Sequence, residues 1–313
     1  MQKKDFDFAS ADCRTQIHAV KWLPDDGKYK AILQITHGMI EFIERYEKFA
    51  GFMTDNGYMV VGHDHLGHGQ SVVSQKDLGY FTDDGQSDTL VEDMHRLRTL
   101  VQGENAGVPY FMFAHSMGSY LLRKYLTIHG DDLRGAIICG TGYVPEKTTS
   151  LGLKVVGFLG KVRGWHYVSR MVETLSFGKP YKKFDMTGKN PANSWLTRDE
   201  EIVKWYYANP LCTFKFTVSG YKGLMETVQY DCRQENVNKI PKKLPLFIIS
   251  GSDDPVGDLG EGVKKVYDMV KASGNLDVTY KLYDGYRHEI LNEIGKEKVY
   301  SDILAWTNVR IET

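Results

Sequence analysis

Short apolar runs of strand character alternate with segments of helical periodicity along most of this chain, and this alternation constrains the fold more than any other feature. The strand-like runs are IHAVKWLP (17–24), KAILQITHG (30–38), YMVVGHD (58–64), PYFMFAH (109–115), LRGAIICG (133–140), LPLFIIS (244–250) and VTYKLYDG (278–285). The helix-like segments are 41–57, 88–102, 119–130, 262–273 and 297–309. Strands that alternate with helices form a mostly parallel sheet with helices on both faces. We therefore predict an α/β fold.

The alternation stops between residues 145 and 237, where helical pieces rich in aromatic residues take over. Thr197 and Glu200 have the spacing of a capping box ahead of one of these helices. The strand–helix alternation resumes after this segment. The sequence therefore predicts a core formed by residues 1–144 and 238–313, with a helical insertion at 145–237.

Composition excludes several classes of function. Of the 313 residues, 42% are hydrophobic and 25% are charged, and the formal net charge of -1 gives no electrostatic footprint for nucleic acid. The longest apolar runs are far shorter than the roughly 20 residues that span a bilayer, and the first residues lack the apolar stretch of a signal peptide. The four cysteines have neither metal-binding nor redox spacing, so we expect reduced thiols and a cytoplasmic protein. They are Cys13, Cys139, Cys212 and Cys232.

Ser116 lies where the strand-like run PYFMFAH gives way to the helix-like run SYLLRKYL. The residues two before and two after it, Ala114 and Gly118, are small, as they must be where a sharp turn lifts a serine hydroxyl above a sheet edge. A helix that begins here points its free N–H groups and the positive end of its dipole at a reacting oxygen. Ser116 could equally be a plain helix cap, so the turn alone does not decide its function.

Two further residues follow the last two predicted strands. His288 lies in YDGYRHEIL and Asp254 lies in IISGSDDPVG, and both loops leave the same sheet edge as the turn at Ser116. A serine nucleophile needs a base and a group that orients that base. Each residue alone could be an ordinary loop residue, but together they predict a catalytic triad of Ser116, Asp254 and His288. Asp253 is the alternative acid.

The sequence ITHGMIEF places a histidine–glycine pair after the second strand-like run, at the same edge. The backbone N–H of Met39 can join that of Met117 as an oxyanion hole, which stabilises the charge that develops on a carbonyl oxygen. The alternative is a plain turn that ends a strand.

These motifs make the chain similar to α/β-hydrolases of the monoacylglycerol lipase, lysophospholipase and serine aminopeptidase-like group. The motifs are HGMIEFIERY, HDHLGHGQS, AHSMGS, GSDDPVGD and GYRHEIL, and their order covers residues ~30–310. The resemblance implies the α/β-hydrolase fold, the triad Ser116, Asp254 and His288, an oxyanion hole at Met39 and Met117, and a lid at 145–237. Ala114 departs from the pattern, because a glycine usually stands there. The segment 145–237 resembles no single lipase lid closely enough to transfer a substrate.

Three histidines in GHDHLGHGQS allow a different interpretation. His63, His65 and His68 approach the metal motif H-x-H-x-D-H, although Gly67 stands where that motif has aspartate. Three close imidazoles could bind zinc. The hydrolase interpretation, which we favour, makes this stretch a turn after a strand, with His68 packed beneath the site. His115 is expected to point away from the nucleophile.

The sequence leaves three functions open: a serine esterase or lipase, a serine aminopeptidase, and a non-catalytic binding protein or zinc hydrolase. An aminopeptidase needs carboxylates in the lid to hold a substrate ammonium. The candidates there are Glu173, Asp199, Glu200 and Glu201. Apolar and aromatic residues dominate the rest of the lid, so we predict hydrolysis of small-molecule or lipid esters, without a cofactor or metal. The lid could also touch a membrane surface transiently.

Overall fold

The computed structural model of the chain describes residues 1–311, and these contain one eight-stranded sheet. The strands are β1 (Gln2–Ala9), β2 (Gln16–Leu23), β3 (Ala31–Thr36), β4 (Tyr58–His63), β5 (Tyr110–His115), β6 (Gly135–Cys139), β7 (Leu246–Gly251) and β8 (Val278–Tyr283). Their order in the sheet is β1-β2-β4-β3-β5-β6-β7-β8. Strands β1 and β2 pair antiparallel with their neighbours and all other pairs are parallel. The predicted mostly parallel sheet is confirmed.

Helices cover both faces of this sheet, as predicted. The α-helices are α1 (Glu47–Asp55), α2 (Asp88–Glu104), α3 (Met117–His129), α4 (Glu146–Arg163), α5 (Arg170–Ser176), α6 (Glu200–Ala208), α7 (Val218–Asp231), α8 (Gln234–Val237), α9 (Glu261–Ala272) and α10 (Lys296–Ile311). Helices α2, α3 and α9 share one hydrophobic cluster with the sheet, and α1 and α10 share a second. Alternate residues of β5 divide between them, with Met112 in the first cluster and Phe111 and Phe113 in the second. Within residues 1–311 no helix has the length and apolar character that a membrane crossing requires.

Strand β1 was not predicted, because its sequence QKKDFDFA is dominated by charged residues. It lies at the edge of the sheet and pairs only with β2, so most of its side chains face solvent. Phe8 is its one buried residue. Charged side chains on an edge strand discourage pairing with another chain, and here they also hide the strand signal in the sequence.

The chain between β6 and β7 is helical, and contains helices α4 to α8. The predicted capping box at Thr197 and Glu200 is wrong. Asp199 caps α6 instead, and its carboxylate accepts hydrogen bonds from the N–H groups of Glu201 and Ile202. The Thr197 hydroxyl instead donates a hydrogen bond to the carbonyl of Asn292. This tertiary contact explains why Thr197 does not cap the helix.

Helix α3 passes very close to the end of β3 at Gly118. An ideal Cβ at this position would lie 2.4 Å from the carbonyl oxygens of Thr36 and His37. Only a glycine therefore allows the helix that follows Ser116 to lie against the loop that follows β3.

We predict that Gly118→Ala lowers the free energy of unfolding by about 1–3 kcal/mol, the range for overpacking a dense site, because backbone atoms must move to admit the methyl group. Chemical denaturation followed by circular dichroism measures the change. Gly157→Ala is the matched control, since Gly157 also lies in a helix but has no atom within 4 Å of its ideal Cβ. The control should be more stable than the original protein by about 0.5–1 kcal/mol. Equal effects at the two positions would contradict the close approach at Gly118.

Candidate active site

Ser116 occupies a strained backbone conformation between β5 and α3. Its φ is 54° and its ψ is -122°, a region that residues other than glycine rarely adopt. Neighbouring elements hold it there: its N–H donates to the carbonyl of Cys139 at 3.0 Å, and its carbonyl accepts from the N–H and the hydroxyl of Ser119 at 2.8 and 2.6 Å. The Ser116 hydroxyl makes no hydrogen bond within residues 1–311 and stays available for chemistry.

Two backbone N–H groups near this serine have no acceptor in the described chain, those of Met39 and Met117. Met117 is the first residue of α3, where unpaired N–H groups and the helix dipole favour an anion. Met39 follows Gly38, and an ideal Cβ on Gly38 would lie 3.0 Å from Cβ of Ser116. The loop after β3 and the turn after β5 therefore lie side by side.

The structure brings His288 and Asp254 together. The imidazole Nδ1 lies 3.0 Å from each carboxylate oxygen of Asp254. The same carboxylate accepts 2.8 Å hydrogen bonds from the Ser250 hydroxyl and the Val256 N–H. Burial opposes ionisation of Asp254, but His288 and these hydrogen bonds outweigh it and lower the pKa of the carboxyl. Within residues 1–311, Asp253 makes no hydrogen bond to His288.

Gly140 lies next to both the turn at Ser116 and the loop that carries His288. It follows Cys139, whose carbonyl holds the N–H of Ser116, and an ideal Cβ on Gly140 would lie 3.1 Å from Cε1 of His288. In the described chain no hydrogen bond joins the Ser116 hydroxyl to the imidazole. The structure thus places the three predicted catalytic residues at one sheet edge and pairs two of them directly.

A buried ionic network lies under these loops, and the sequence did not single it out. The Arg45 guanidinium binds Glu289 through two hydrogen bonds of 2.9 and 2.8 Å and Glu41 through one of 2.6 Å. Glu41 also accepts from the N–H of Gly38 and from Nδ1 of His115 at 3.3 Å. The spacing of Glu41 and Arg45, four residues apart in HGMIEFIERY, was the available signal, but only the fold supplies Glu289.

Charge pairing decides the ionisation of this network. Burial disfavours the charged form of Glu41 and Glu289, yet Arg45 keeps the pKa of both carboxyls below their usual range. Burial acts against the charged form of His115 too, and its hydrogen bond to Glu41 nevertheless raises the pKa of the imidazole. His115 Nε2 lies 3.2 Å from the carbonyl of His288. His115 therefore connects the network to the histidine loop.

The histidines of the possible metal motif are buried next to His37. The N–H of His65 donates to Nε2 of His37 at 2.9 Å, and Nε2 of His65 lies 3.0 Å from the carbonyl of His37. Burial lowers the pKa of His65 to about 4 and that of His68 to about 3, so both rings are neutral at physiological pH. No group of three or more His, Cys, Asp or Glu side chains between residues 1 and 311 is arranged to hold a metal ion.

A strained serine after a parallel strand, followed in chain order by a buried aspartate and a histidine that pair at the same edge, defines the chain as an α/β-hydrolase. The family described as serine aminopeptidase, S33 matches residues 27–295. The chain belongs to this family.

Relatives and solved structures agree with this assignment. The chain is 25% identical to the monoglyceride lipase of Mus musculus over 294 residues, which cover 93% of this chain and 86% of that protein. It is 23% identical to the monoacylglycerol lipase of Mycolicibacterium smegmatis, with 91% and 90% coverage. The crystal structure of a thermostable carboxyl esterase from Bacillus coagulans in complex with glycerol superposes with a TM-score of 0.90, at 29% identity and 99% coverage of both chains.

We predict that Arg45→Met destabilises the fold by about 3–5 kcal/mol, because it leaves two buried carboxylates without their cation. Denaturant unfolding monitored by tryptophan fluorescence measures the loss. Lys264→Met is the matched control, since Lys264 and Asp268 form an ion pair with the same four-residue spacing on the surface. The control should leave the free energy of unfolding nearly unchanged. A similar small change in both variants would show that the Arg45 network does not stabilise the loops.

Proposed function

We propose that this protein is a serine hydrolase that cleaves carboxylic esters with an apolar acyl group through an acyl-enzyme intermediate. Ser116 is the nucleophile, His288 the general base and acid, and Asp254 the residue that orients the imidazole. The single observation that supports this most is the buried Asp254–His288 pair beside a strained serine with a free hydroxyl. The unpaired N–H groups of Met39 and Met117 supply the oxyanion hole.

The first half of the reaction acylates the enzyme. With Nδ1–H donated to Asp254, Nε2 of His288 accepts the hydroxyl proton while Ser116 Oγ bonds to the ester carbonyl carbon. The carbonyl π electrons move to oxygen, where the N–H groups of Met39 and Met117 bind the negative charge; a donor of this kind contributes about 2.7–4 kcal/mol. The C–O bond of the ester then breaks, and the leaving alkoxide takes the proton from His288 and departs as alcohol.

The second half releases the acid. Water replaces the alcohol and gives a proton to Nε2 of His288 as its oxygen bonds to the acyl carbon. The same N–H groups bind the second oxyanion. When the bond to Ser116 Oγ breaks, the serine oxygen recovers the proton and the carboxylic acid leaves. Asp254 stays ionised throughout and stabilises the imidazolium formed in each half.

The four acidic side chains of the lid that could bind a substrate ammonium form ion pairs, cap a helix or are exposed to solvent. Glu173 pairs with Lys215 and Glu201 pairs with Lys204. Asp199 caps α6, and Glu200 is exposed on its first turn. A substrate ammonium would be desolvated without a partner. The names of the relatives, two lipases and a carboxyl esterase, also favour an ester substrate over a peptide.

We further propose that residues 145–237 act as a lid over the site. Large apolar side chains on α4 and α5 face solvent, which supports transient contact with a lipid surface during substrate capture. The exposed residues are Leu151, Phe158, Val162, Met171 and Leu175.

The four cysteines have free thiols, which supports a location in the reducing cytoplasm.

We predict that Ser116→Ala and His288→Ala each reduce ester hydrolysis by about 10⁴-fold or more, and that the double variant is no slower than the single ones. Labelling of Ser116 by a fluorophosphonate, located by mass spectrometry, identifies the nucleophile directly. Asp253→Asn is the matched control for Asp254→Asn and should have a mild effect. A larger loss in Asp253→Asn than in Asp254→Asn would identify Asp253 as the residue that orients the imidazole. A double variant far slower than either single variant would contradict a mechanism that Ser116 and His288 share.

We predict a rise of kcat/KM with acyl length across a series of aryl esters from acetyl to dodecanoyl. Each buried methylene contributes about 0.8 kcal/mol, so the rise should be several-fold per methylene until the acyl pocket ends, and then level or fall. Monoacylglycerols are the natural candidates to run beside the series. Aminoacyl amides should be poor substrates. A flat series, or faster turnover of a free-amine amide than of any ester, would favour a peptidase or a small-ester hydrolase.

A further inference from the structure

The indole of Trp195 stacks on the imidazole of His288. The ring centroids are 5.1 Å apart and the planes differ by 25°. Trp195 comes from the helical segment between β6 and β7, whereas His288 follows β8. The imidazole also contacts the ring of His115, at 4.5 Å between centroids. Two aromatic neighbours and the Asp254 carboxylate thus surround the residue that we propose as the base.

The backbone around Trp195 is fixed to the histidine loop. The N–H of His288 donates to the carbonyl of Trp195 at 3.4 Å, and the N–H of Glu289 donates to the carbonyl of Leu196 at 2.7 Å. Arg287 adds a 2.6 Å hydrogen bond to the carbonyl of Ser194. Because these bonds link the residues on both sides of the two stacked rings, they hold the indole and the imidazole next to each other.

Further aromatic rings support the indole on the side of the helical segment. The ring of Tyr181 packs edge-on against Trp195 at 5.6 Å, and Phe177 packs edge-on against Tyr181 at 5.1 Å. Edge-to-face pairs of this kind favour one relative orientation. The position of Trp195 is therefore determined by its own segment as well as by the histidine loop.

We propose that Trp195 is a positioning residue for His288, which holds the plane of the imidazole and stabilises the imidazolium formed in each half of the reaction. This inference rests on the proposed function. A cation centred within about 6 Å of an indole face is attracted by the electrons of the ring. The charged and titratable groups that face the imidazole are Asp254, at Nδ1, and His115. The flanking charges are engaged elsewhere, since Arg287 binds the Ser194 carbonyl and Glu289 binds Arg45.

The experiment compares Trp195→Leu, which keeps apolar bulk without a ring, with Trp195→Phe, which keeps a ring. The first readout is the rate constant for fluorophosphonate labelling of Ser116, which reports activation of the serine without any choice of ester. We expect Trp195→Leu to lower this rate constant and kcat by roughly 3- to 30-fold, the range of a cation–π contact, with KM changed by less than about twofold. Trp195→Phe should recover most of the loss.

Trp165→Leu is the control within the same helical segment. The Trp165 ring packs over the Gly160 position and near Lys222, with no ring contact to His288. The Trp165→Leu substitution should therefore leave the rate constant for labelling of Ser116 unchanged. If Trp195→Leu does not fold, Trp195→Met takes its place as a flexible apolar side chain of similar reach.

The second readout is the NMR resonance of the Cε1 proton of His288, assigned by its loss in His288→Ala. The stacked indole shifts this resonance, so Trp195→Leu should move it and Trp165→Leu should not. A resonance that does not move, or a Trp195→Leu protein labelled as fast as the original or faster, would overturn the inference; the faster rate would make Trp195 a barrier to entry. An original protein that is not labelled at Ser116 would instead overturn the proposed function.

Discussion

The approach of the two loops beside Ser116 depends on Arg45. Glu41 belongs to the loop after β3 and Glu289 to the loop after β8, and both carboxylates are buried. Two buried carboxylates repel each other and lose hydration, so the loops could not pack together without a buried cation. The planar guanidinium suits this role because it binds one carboxylate with two parallel hydrogen bonds and the other with a third. Through Glu41 it also fixes the N–H of Gly38.

The strain at Ser116 is sustained by the sheet rather than by local sequence. A positive φ at a serine costs of order 1–3 kcal/mol, and hydrogen bonds with the Cys139 carbonyl and with the N–H and hydroxyl of Ser119 hold it in place. Gly118 removes the steric conflict with the end of β3. The parallel pairing of β3, β5 and β6 thus brings the unpaired N–H groups of Met39 and Met117 next to the strained serine.

The helical segment between β6 and β7 contributes contacts to the candidate site. Thr197 and Arg198 bind Asn292 and Glu293 of the loop after β8. Trp195, two residues before Thr197, stacks on His288. In the function that we propose, substrate entry therefore has to proceed without displacing residues 194–198 from the histidine loop. This stretch is hydrogen-bonded to the histidine loop and is not a free flap.

The sequence by itself determined the parallel sheet, the helices on both faces and the candidate residues Ser116, Asp254 and His288, because periodicity and short motifs depend on residues near each other in the chain. It did not predict β1, because the charged residues of this edge strand obscure its strand pattern. It also placed the cap of α6 at Thr197, whereas Asp199 caps the helix. Only the tertiary structure decided the Arg45 pairing with Glu289 and the stack of Trp195 on His288. These contacts join residues far apart in the chain, and their energy depends on burial and on ring geometry, which no local pattern contains.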